Sequence, residues 1–141
     1  TEEAIRGIYD SLRATSLAMN DGSVLLGGGS THSKLAYHVR SEMESEPGRE
    51  RIAMEAFARA METIPAVLAE NAGQSPLDKV LELRAESRKE NGNMGIDRNG
   101  EVSPIEDAWH PLSVISESLE TSTETSISML RIDQVVSSRG D

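Results

Sequence analysis

Asp10 is the first residue of this chain with the chemistry of a catalytic group. The spacing of four apolar residues predicts an α-helix over residues 2–19 and places them on one stripe: Ile5, Ile8, Leu12 and Met19. Asp10 projects about opposite that stripe. A carboxylate there can accept a proton or a hydrogen bond from an attacking water. From the pattern alone, however, a solvated surface carboxylate is the favoured interpretation.

Three consecutive glycines, Gly27, Gly28 and Gly29, are a second feature that could bind a ligand. They follow a short apolar segment, Ser23–Leu26, and precede a predicted helix that Ser30 is expected to cap. A strand, a glycine run and a helix start together allow backbone amides to approach an anion. No Gly-Lys-Ser/Thr follows at the spacing of a phosphate-binding P-loop, so the residues alone favour a flexible turn.

The histidine and acidic residues do not predict a metal site. His32 and His38 are six residues apart on one predicted helix and do not share a face. Asp97, Asn99 and Glu101 have a superficial likeness to a calcium loop, but the glycine and distal glutamate of an EF-hand are misplaced. The chain has no cysteine, which excludes disulfides, thiolate metal sites and cysteine nucleophiles.

The stretch Gly48–Glu86 predicts two helices on which the rest of the chain packs. The apolar stripe of the first helix, expected to face the core, comprises Met54, Phe57, Met61, Ile64 and Leu68. Its solvent side is expected to carry Glu50, Glu55, Arg59 and Glu62. Pro65 predicts a kink or a local break. Gly73 is the expected left-handed cap, and Ser75 with Pro76 the start of the second helix.

The C-terminal third predicts one hairpin and one further helix. Asn99–Gly100, between Ile96 and Val102, is typical of a type I′ turn. The last helix is expected to begin near Pro111. Nine of residues 113–128 are Ser or Thr, which lowers helix propensity, so we expect this helix to be the least stable. The fold class is therefore mainly α, with about five helices and one small β-hairpin.

Composition narrows the classes of partner. Among the 141 residues, 24 are acidic and 14 basic, which gives a net charge of −10. Such a surface repels phosphate backbones, and four aromatic residues provide no stacking platform, so nucleic acid is not an expected partner. No apolar run approaches the roughly 18 residues of a membrane span. We expect a soluble, cytoplasmic protein, and the start at Thr1 suggests a processed piece.

Specific runs of residues, rather than periodicity, resemble one protein family. Within Gly48–Glu86 the runs GRERIAMEAFARAMETIP, LAENAG, SPLD and LELRAE resemble the C-terminal part of the equatorial domain of group II chaperonins, the thermosome and TRiC family. EEAIRGIYDSL, NDGSVLLGGGS, NMGID and LRIDQVVSS extend the resemblance over nearly the whole chain. It implies that residues 1–15 lead from the intermediate domain and that residues 16–141 form the C-terminal half of the equatorial domain.

The resemblance also implies a site for ATP or ADP with Mg²⁺. Asp10 matches the catalytic aspartate that orients or activates the water attacking the γ-phosphate. The positions that match nucleotide-contacting segments of the family are Gly27, Gly28 and Gly29 for the sugar and phosphates, and Gly95, Ile96 and Asp97 for the base and ribose. His110 stands where the family tends to carry an acidic residue, which weakens the expected ribose contact.

The function implied by the resemblance is that of part of an ATP-dependent chaperonin subunit that assists protein folding. Its expected partners are other subunits of a ring and, through an apical domain of which this sequence has no trace, non-native client proteins. Nothing here resembles the family's Gly-Asp-Gly-Thr-Thr loop, whose aspartate helps to hold magnesium. We therefore expect negligible ATPase activity from this chain alone.

Two other functions remain open from the sequence. The first is a stand-alone, non-catalytic helical interaction module, suggested by His110 and by the hydroxyl-rich last helix. The second is a phosphate-binding regulatory domain, which rests on the glycine run alone.

Overall fold

The computed structural model describes residues 2–89 and 92–137, and these form five α-helices and four short strands. The helices are α1 (Glu2–Asp21), α2 (Ser30–Met43), α3 (Glu50–Asn71), α4 (Pro76–Ser87) and α5 (Leu112–Ser137). The strands are β1 (Val24–Leu26), β2 (Met94–Ile96), β3 (Val102–Pro104) and β4 (Trp109–Pro111). The mainly α fold class with a small hairpin, β2–β3, is confirmed. A second two-stranded sheet, β1–β4, was not foreseen.

The described chain divides into two compact units. The terminal unit runs to Val24 and resumes at His110, and the central unit is Leu25–Trp109. This division follows contacts within the chain. It does not test the predicted family boundary after residue 15, which stays a prediction.

The terminal unit consists mainly of α1 and α5. The carboxylate of Asp21, at the end of α1, accepts a hydrogen bond of 2.8 Å from the amide of Ser113 and so caps the start of α5. The predicted first helix is confirmed, but none of its residues is buried. Its apolar stripe, Ile5, Ile8, Leu12 and Met19, is 59–79% exposed within the described part of the chain.

The central unit packs α2 against α3 and α3 against α4, and the hairpin lies against these helices. Ala36 of α2 and Ala58 and Ala69 of α3 are fully buried. Because these side chains are small, the helices can approach closely. Leu83 of α4 and Ile96 of β2 complete the core beside Ala69.

The buried face of α3 differs from the predicted stripe. It consists of Ala58, Glu62, Pro65 and Ala69. Three members of the predicted stripe, Phe57, Ile64 and Leu68, are instead 37–45% exposed. The expectation that Glu62 faces solvent was also wrong, since only 4% of this residue is exposed. The spacing of apolar residues cannot predict a buried helix face that has a glutamate at its centre.

Two arginines explain how Glu62 can be buried. Arg40 of α2 donates to both Glu62 oxygens, at 2.6 and 2.9 Å, and also to Glu55. Arg84 of α4 donates to the same two Glu62 oxygens from its Nε and Nη2 atoms. A buried charge is tolerated when it is paired and its lone pairs are satisfied. This Glu62 cluster (Arg40, Glu55, Glu62 and Arg84) therefore joins three helices.

The ends of α3 and α4 follow their sequence signals. α3 continues through Pro65, so of the two alternatives the local break is absent, and the kink stays a prediction. Gly73 adopts φ 80°, as predicted, and its amide and that of Gln74 bond to the Glu70 and Ala69 carbonyls in a Schellman arrangement. The Ser75 hydroxyl accepts from the Asp78 amide, which confirms the start of α4.

The predicted hairpin is present, but its turn is not type I′. Ile96 pairs with Val102, which leaves residues 97–101 as the connecting loop. A type I′ turn needs positive φ at both central residues. Among the described residues only glycines have positive φ, so Asn99 does not meet this requirement while Gly100, at φ 77°, does.

Candidate functional site

The glycine run forms a turn that leads from β1 into α2. Gly28 and Gly29 adopt φ 60° and 73°, in the left-handed region that residues with a Cβ disfavour. Gly29, rather than Ser30, occupies the N-cap position, so the capping role expected of Ser30 was wrong. The Ser30 hydroxyl is buried and has no hydrogen-bond partner among the described residues.

This glycine turn and β2 meet backbone to backbone. The Ile96 amide donates a hydrogen bond of 2.7 Å to the Gly28 carbonyl. A Cβ added to Gly28 would lie 2.8 Å from the Ile96 oxygen, and one added to Gly95 would lie 2.8 Å from the Gly28 oxygen. Two segments that the sequence assigned to the same ligand, but that are far apart along the chain, are therefore in direct contact.

Neighbouring residues fix the turn from the other sides. A Cβ on Gly29 would lie 2.6 Å from the Cβ of Pro65, the buried proline of α3. The Gly27 amide donates to the Ala108 carbonyl at 2.8 Å. Ile105 lies close enough to Gly28 and Gly95 that neither could carry a side chain without a shift. Close packing thus favours glycine at all four positions, and positive φ favours it further at Gly28 and Gly29.

A cavity of about 330 Å³ opens beside β2. Its apolar wall comprises Ile96, Pro104, Ile105 and Ala108. Its polar lining comprises Asp97, Arg98, Asn99 and Asp107. This volume lies within the usual range of small-molecule pockets, roughly 300–1,000 Å³, and apolar walls with a few polar groups are typical of them.

Asp97 already has an internal role. Its carboxylate accepts hydrogen bonds from the amides of Asn99, at 2.8 Å, and Glu101, at 3.0 Å, and from the Ser103 hydroxyl, at 3.2 Å. The backbone donors at Glu101 and Asn99 hold the pKa of Asp97 below its ordinary value, because they favour the charged form. An oriented carboxylate therefore borders the cavity, with part of its accepting capacity used by the hairpin.

Asp107 and Arg98 form an exposed ion pair on the same cavity, with 2.9 Å between the Arg98 Nη2 and the Asp107 Oδ2. Ile105, Asp107 and Ala108 were not predicted from the sequence. They lie in an irregular segment between β3 and β4, where no periodic pattern predicts which residues line a cavity. Ala108 lies against Gly27 and Ile105 lies against Gly28, and these contacts are visible only in the structure.

The remaining predicted site residues, Asp10 and His110, belong to the terminal unit. Asp10 lies on the exposed surface of α1, and His110 is an exposed residue of β4. The structure therefore joins Gly27, Gly28 and Gly29 to Gly95 and Ile96 within one unit, and describes Asp10 and His110 as part of the other.

Neither a metal cluster nor a membrane span is found in the described residues. No three or more His, Cys, Asp or Glu side chains are grouped so that they could hold an ion. No described helix is long and apolar enough to cross a membrane.

Comparisons with known proteins identify the family. A sequence profile of the TCP-1/cpn60 chaperonin family matches residues 1–139. A thermosome subunit of Methanocaldococcus jannaschii is 40% identical over 139 residues, which are 96% of this chain and 26% of that protein. The thermosome subunit beta of Thermoplasma acidophilum is 40% identical over 141 residues, 98% of this chain and 26% of its own length.

A solved structure agrees with these relatives. The open-state monomer of a group II chaperonin from Methanococcoides burtonii superposes with a TM-score of 0.81 at 34% identity, and the match covers 89% of this chain and 32% of that one. The fold and these matches identify the protein as a chaperonin. This chain belongs to the TCP-1/cpn60 chaperonin family, and it spans about a quarter of the length of the thermosome subunits it matches.

Proposed function

We propose that this chain is the ATP-binding, C-terminal half of the equatorial domain of a group II chaperonin subunit, acting in the cytoplasm. It would supply half of the nucleotide pocket and contacts to other subunits of a ring. Full-length subunits would couple ATP hydrolysis to the folding of non-native client proteins, without a nucleic acid or membrane partner. The observation that carries this proposal is the direct contact between the glycine turn and β2.

The cavity beside β2 suits the base and sugar of a nucleotide. Ile96 and Ile105 offer an apolar wall against which a planar base can lie. The Asp107 carboxylate on the cavity can accept a hydrogen bond from a ribose hydroxyl or an exocyclic amine. The cavity therefore suits, in size and polarity, the nucleotide that the resemblance implies.

The described residues do not suit Mg²⁺ on their own. Magnesium needs oxygen ligands in near-octahedral geometry, and the described part of the chain groups no set of acidic residues for it. The ion would therefore be held by the nucleotide phosphates and by a part of the family's chain that these 141 residues do not resemble. Asp10 would orient the attacking water, a task for which an exposed carboxylate has the right chemistry.

A titration with magnesium-ATP tests nucleotide binding. Trp109 is the single tryptophan and follows Ala108, which lines the cavity, so its fluorescence should change saturably. Gly28→Ala should abolish the change, because the new Cβ would collide with the Ile96 oxygen and with Ile105. Gly22→Ala is the matched control, since Gly22 also has positive φ but meets nothing within 4 Å.

Circular dichroism must show that each variant is helical. No saturable change in a helical wild-type chain would mean that the nucleotide site needs the half of the pocket that this chain does not supply. Phosphate release should be negligible for the wild type and unaffected by Asp10→Ala. Rapid turnover that Asp10→Ala abolishes would contradict the expected lack of activity.

The exposed apolar stripe of α1 favours a second candidate function, a non-catalytic helical interaction module. Side chains such as Ile8 and Leu12, more than half exposed, form an apolar face of the kind found in protein–protein contacts. Under this hypothesis the chain self-associates or binds a hydrophobic dye. Light scattering that shows a monomer without dye binding would count against it.

A further inference from the structure

The tip of the β2–β3 hairpin is fastened to the corner between α3 and α4. The Gln74 side-chain amide donates to a Glu101 carboxylate oxygen at 2.9 Å and to the Asn99 carbonyl at 3.3 Å. The Lys79 ammonium, near the start of α4, pairs with the other Glu101 oxygen. Both oxygens of Glu101 are therefore engaged by groups outside the hairpin.

Packing adds to these polar contacts. A Cβ on Gly100 would lie 2.5 Å from the Gln74 Cγ and 2.8 Å from the Ala72 Cβ, so the tip lies directly on the helix corner. Lys79 also pairs with Glu82 at 3.2 Å, which orients its ammonium from its own helix. Glu101 in turn raises the pKa of Lys79, and Glu82 adds to this effect, so the ammonium stays charged. Glu101 is thus held by partners that are themselves oriented.

The hairpin connects this fastening to the glycine turn. Inside its tip, the Asp97 carboxylate bonds to the amide of Glu101. Asp97 directly follows Ile96, whose amide donates to the Gly28 carbonyl. Glu101 is therefore connected to β2 through a short, hydrogen-bonded segment.

We propose that Gln74, Lys79 and Glu101, here termed the Glu101 clamp, position β2 and through it the glycine turn of the nucleotide site. The importance of this for nucleotide affinity rests on the function proposed above, whereas the mechanical link does not. The three residues do not line the cavity, so they are positioning residues. Their effect should therefore be measurable as a change in the mobility of β2 even without nucleotide.

Amide hydrogen exchange of the 141-residue chain, followed by NMR without nucleotide, tests the link directly. Lys79→Met and Glu101→Gln should each speed exchange of the Ile96 amide by about two- to fivefold, the range expected when one partly exposed ion pair stops opposing local opening. The double variant should be no faster than the faster single variant, because the two residues act through each other. Lys79→Arg should restore slow exchange.

Two controls separate positioning from general stability. Lys89→Met removes the ion pair between Lys89 and Glu86, which does not involve Glu101, and should leave Ile96 exchange unchanged. The Ala58 amide in α3 should exchange at the wild-type rate in every variant. Unchanged Ile96 exchange in Lys79→Met and Glu101→Gln, or an equal acceleration at Ala58, would overturn the proposal.

The same variants are then titrated with magnesium-ATP. If the wild type binds, Lys79→Met and Glu101→Gln should weaken binding, because β2 then holds the Gly28 carbonyl less firmly in place, and Lys79→Arg should not. Affinity that stays unchanged while Ile96 exchange accelerates would overturn the role in the nucleotide site. If the wild type does not bind, the nucleotide site needs the half of the pocket that this chain does not supply, and the exchange data still decide whether the clamp holds β2.

Discussion

Glu62 is a buried carboxylate that joins three helices of the central unit through Arg40 and Arg84. Replacing it with Gln removes the charge that neutralises Arg40 and Arg84 while keeping the side-chain volume. Removing one partner of a buried ion pair leaves uncompensated charge, so we expect the free energy of unfolding to fall by about 3 kcal/mol. Urea denaturation measures this change.

Glu55→Gln is the matched control for this substitution. Glu55 also bonds to Arg40, but its side chain is 38% exposed compared with 5% for Glu62. An exposed pair contributes little, so the control should cost less than about 1 kcal/mol. Equal losses in the two variants would show that burial does not make Glu62 special.

The Glu62 cluster also predicts the response to acid. Burial raises the pKa of Glu62, but hydrogen bonds from Arg40 and Arg84 outweigh it, and the pKa lies below the ordinary 4.5. The Arg40 hydrogen bonds likewise lower the pKa of Glu55. Because the folded state lowers these pKa values, their stabilisation is present above about pH 4.5 and is lost as the pH falls through the folded values.

Urea midpoints measured from pH 7 down to pH 3 check this sign. The wild type should lose stability below about pH 4.5, and Glu62→Gln should lose less over the same range because its side chain cannot be protonated. A parallel loss in both proteins would mean that other carboxylates, such as Asp97, dominate the acid response. Asp97 also has a lowered pKa and would contribute in the same direction.

At the scale of elements, the glycine turn depends on its contact with α3. Gly29→Ala introduces a Cβ at positive φ and 2.6 Å from the Pro65 Cβ. Gly73→Ala introduces the same strain at φ 80°, but with nothing within 4 Å. We expect Gly73→Ala to cost about 1–2 kcal/mol and Gly29→Ala about 1–3 kcal/mol more, because the second also overpacks a close contact.

The difference between the two variants isolates the contact from the backbone strain. Urea denaturation of both measures it. If Gly29→Ala were no more destabilising than Gly73→Ala, the turn would not be held against Pro65. The NMR signal of the Ile96 amide should change in Gly29→Ala and not in Gly73→Ala, because that amide donates its hydrogen bond to Gly28, next to the substituted residue.

Local signals were sufficient to predict where most elements begin and end. Gly73 and Ser75 act within one helical turn, so the α3–α4 corner could be predicted from neighbouring residues. Buried faces depend on which helices meet, and apolar periodicity gave the wrong face of α3 because Glu62 is buried through partners on α2 and α4. The hairpin was predictable from Asn99–Gly100, but its turn type was not, since Asp97 reorganises the loop with its carboxylate.

The candidate site was predictable to a different extent. The family resemblance assigned Gly28 and Gly95 to one nucleotide site. The structure brings the two glycines into contact beside Ile96, and their part in nucleotide binding stays a prediction. No local signal could place Ile105 or Ala108 beside them, because their role comes from tertiary packing. The catalytic role of Asp10 stays a prediction that nucleotide binding and turnover must test.

At the scale of the whole molecule, charge opposes compactness. The net charge of −10 includes three exposed carboxylates near the end of α2, Glu42, Glu44 and Glu46. Like charges repel over about 10 Å at 0.1 M salt and much less at 1 M. Raising NaCl from about 0.05 to 1 M should therefore raise the thermal unfolding midpoint, by about 5 °C for a chain of this size.

Changing these three residues to Gln tests whether repulsion is the cause. The net charge would fall in magnitude from −10 to −7, so the variant should melt at a higher temperature in low salt and respond less to added salt. Salt also screens attractive pairs such as Lys79–Glu101, which acts in the opposite direction. A midpoint that falls with salt would mean that these attractions outweigh the repulsion, and the Gln variant, with less repulsion to screen, would then fall more than the wild type.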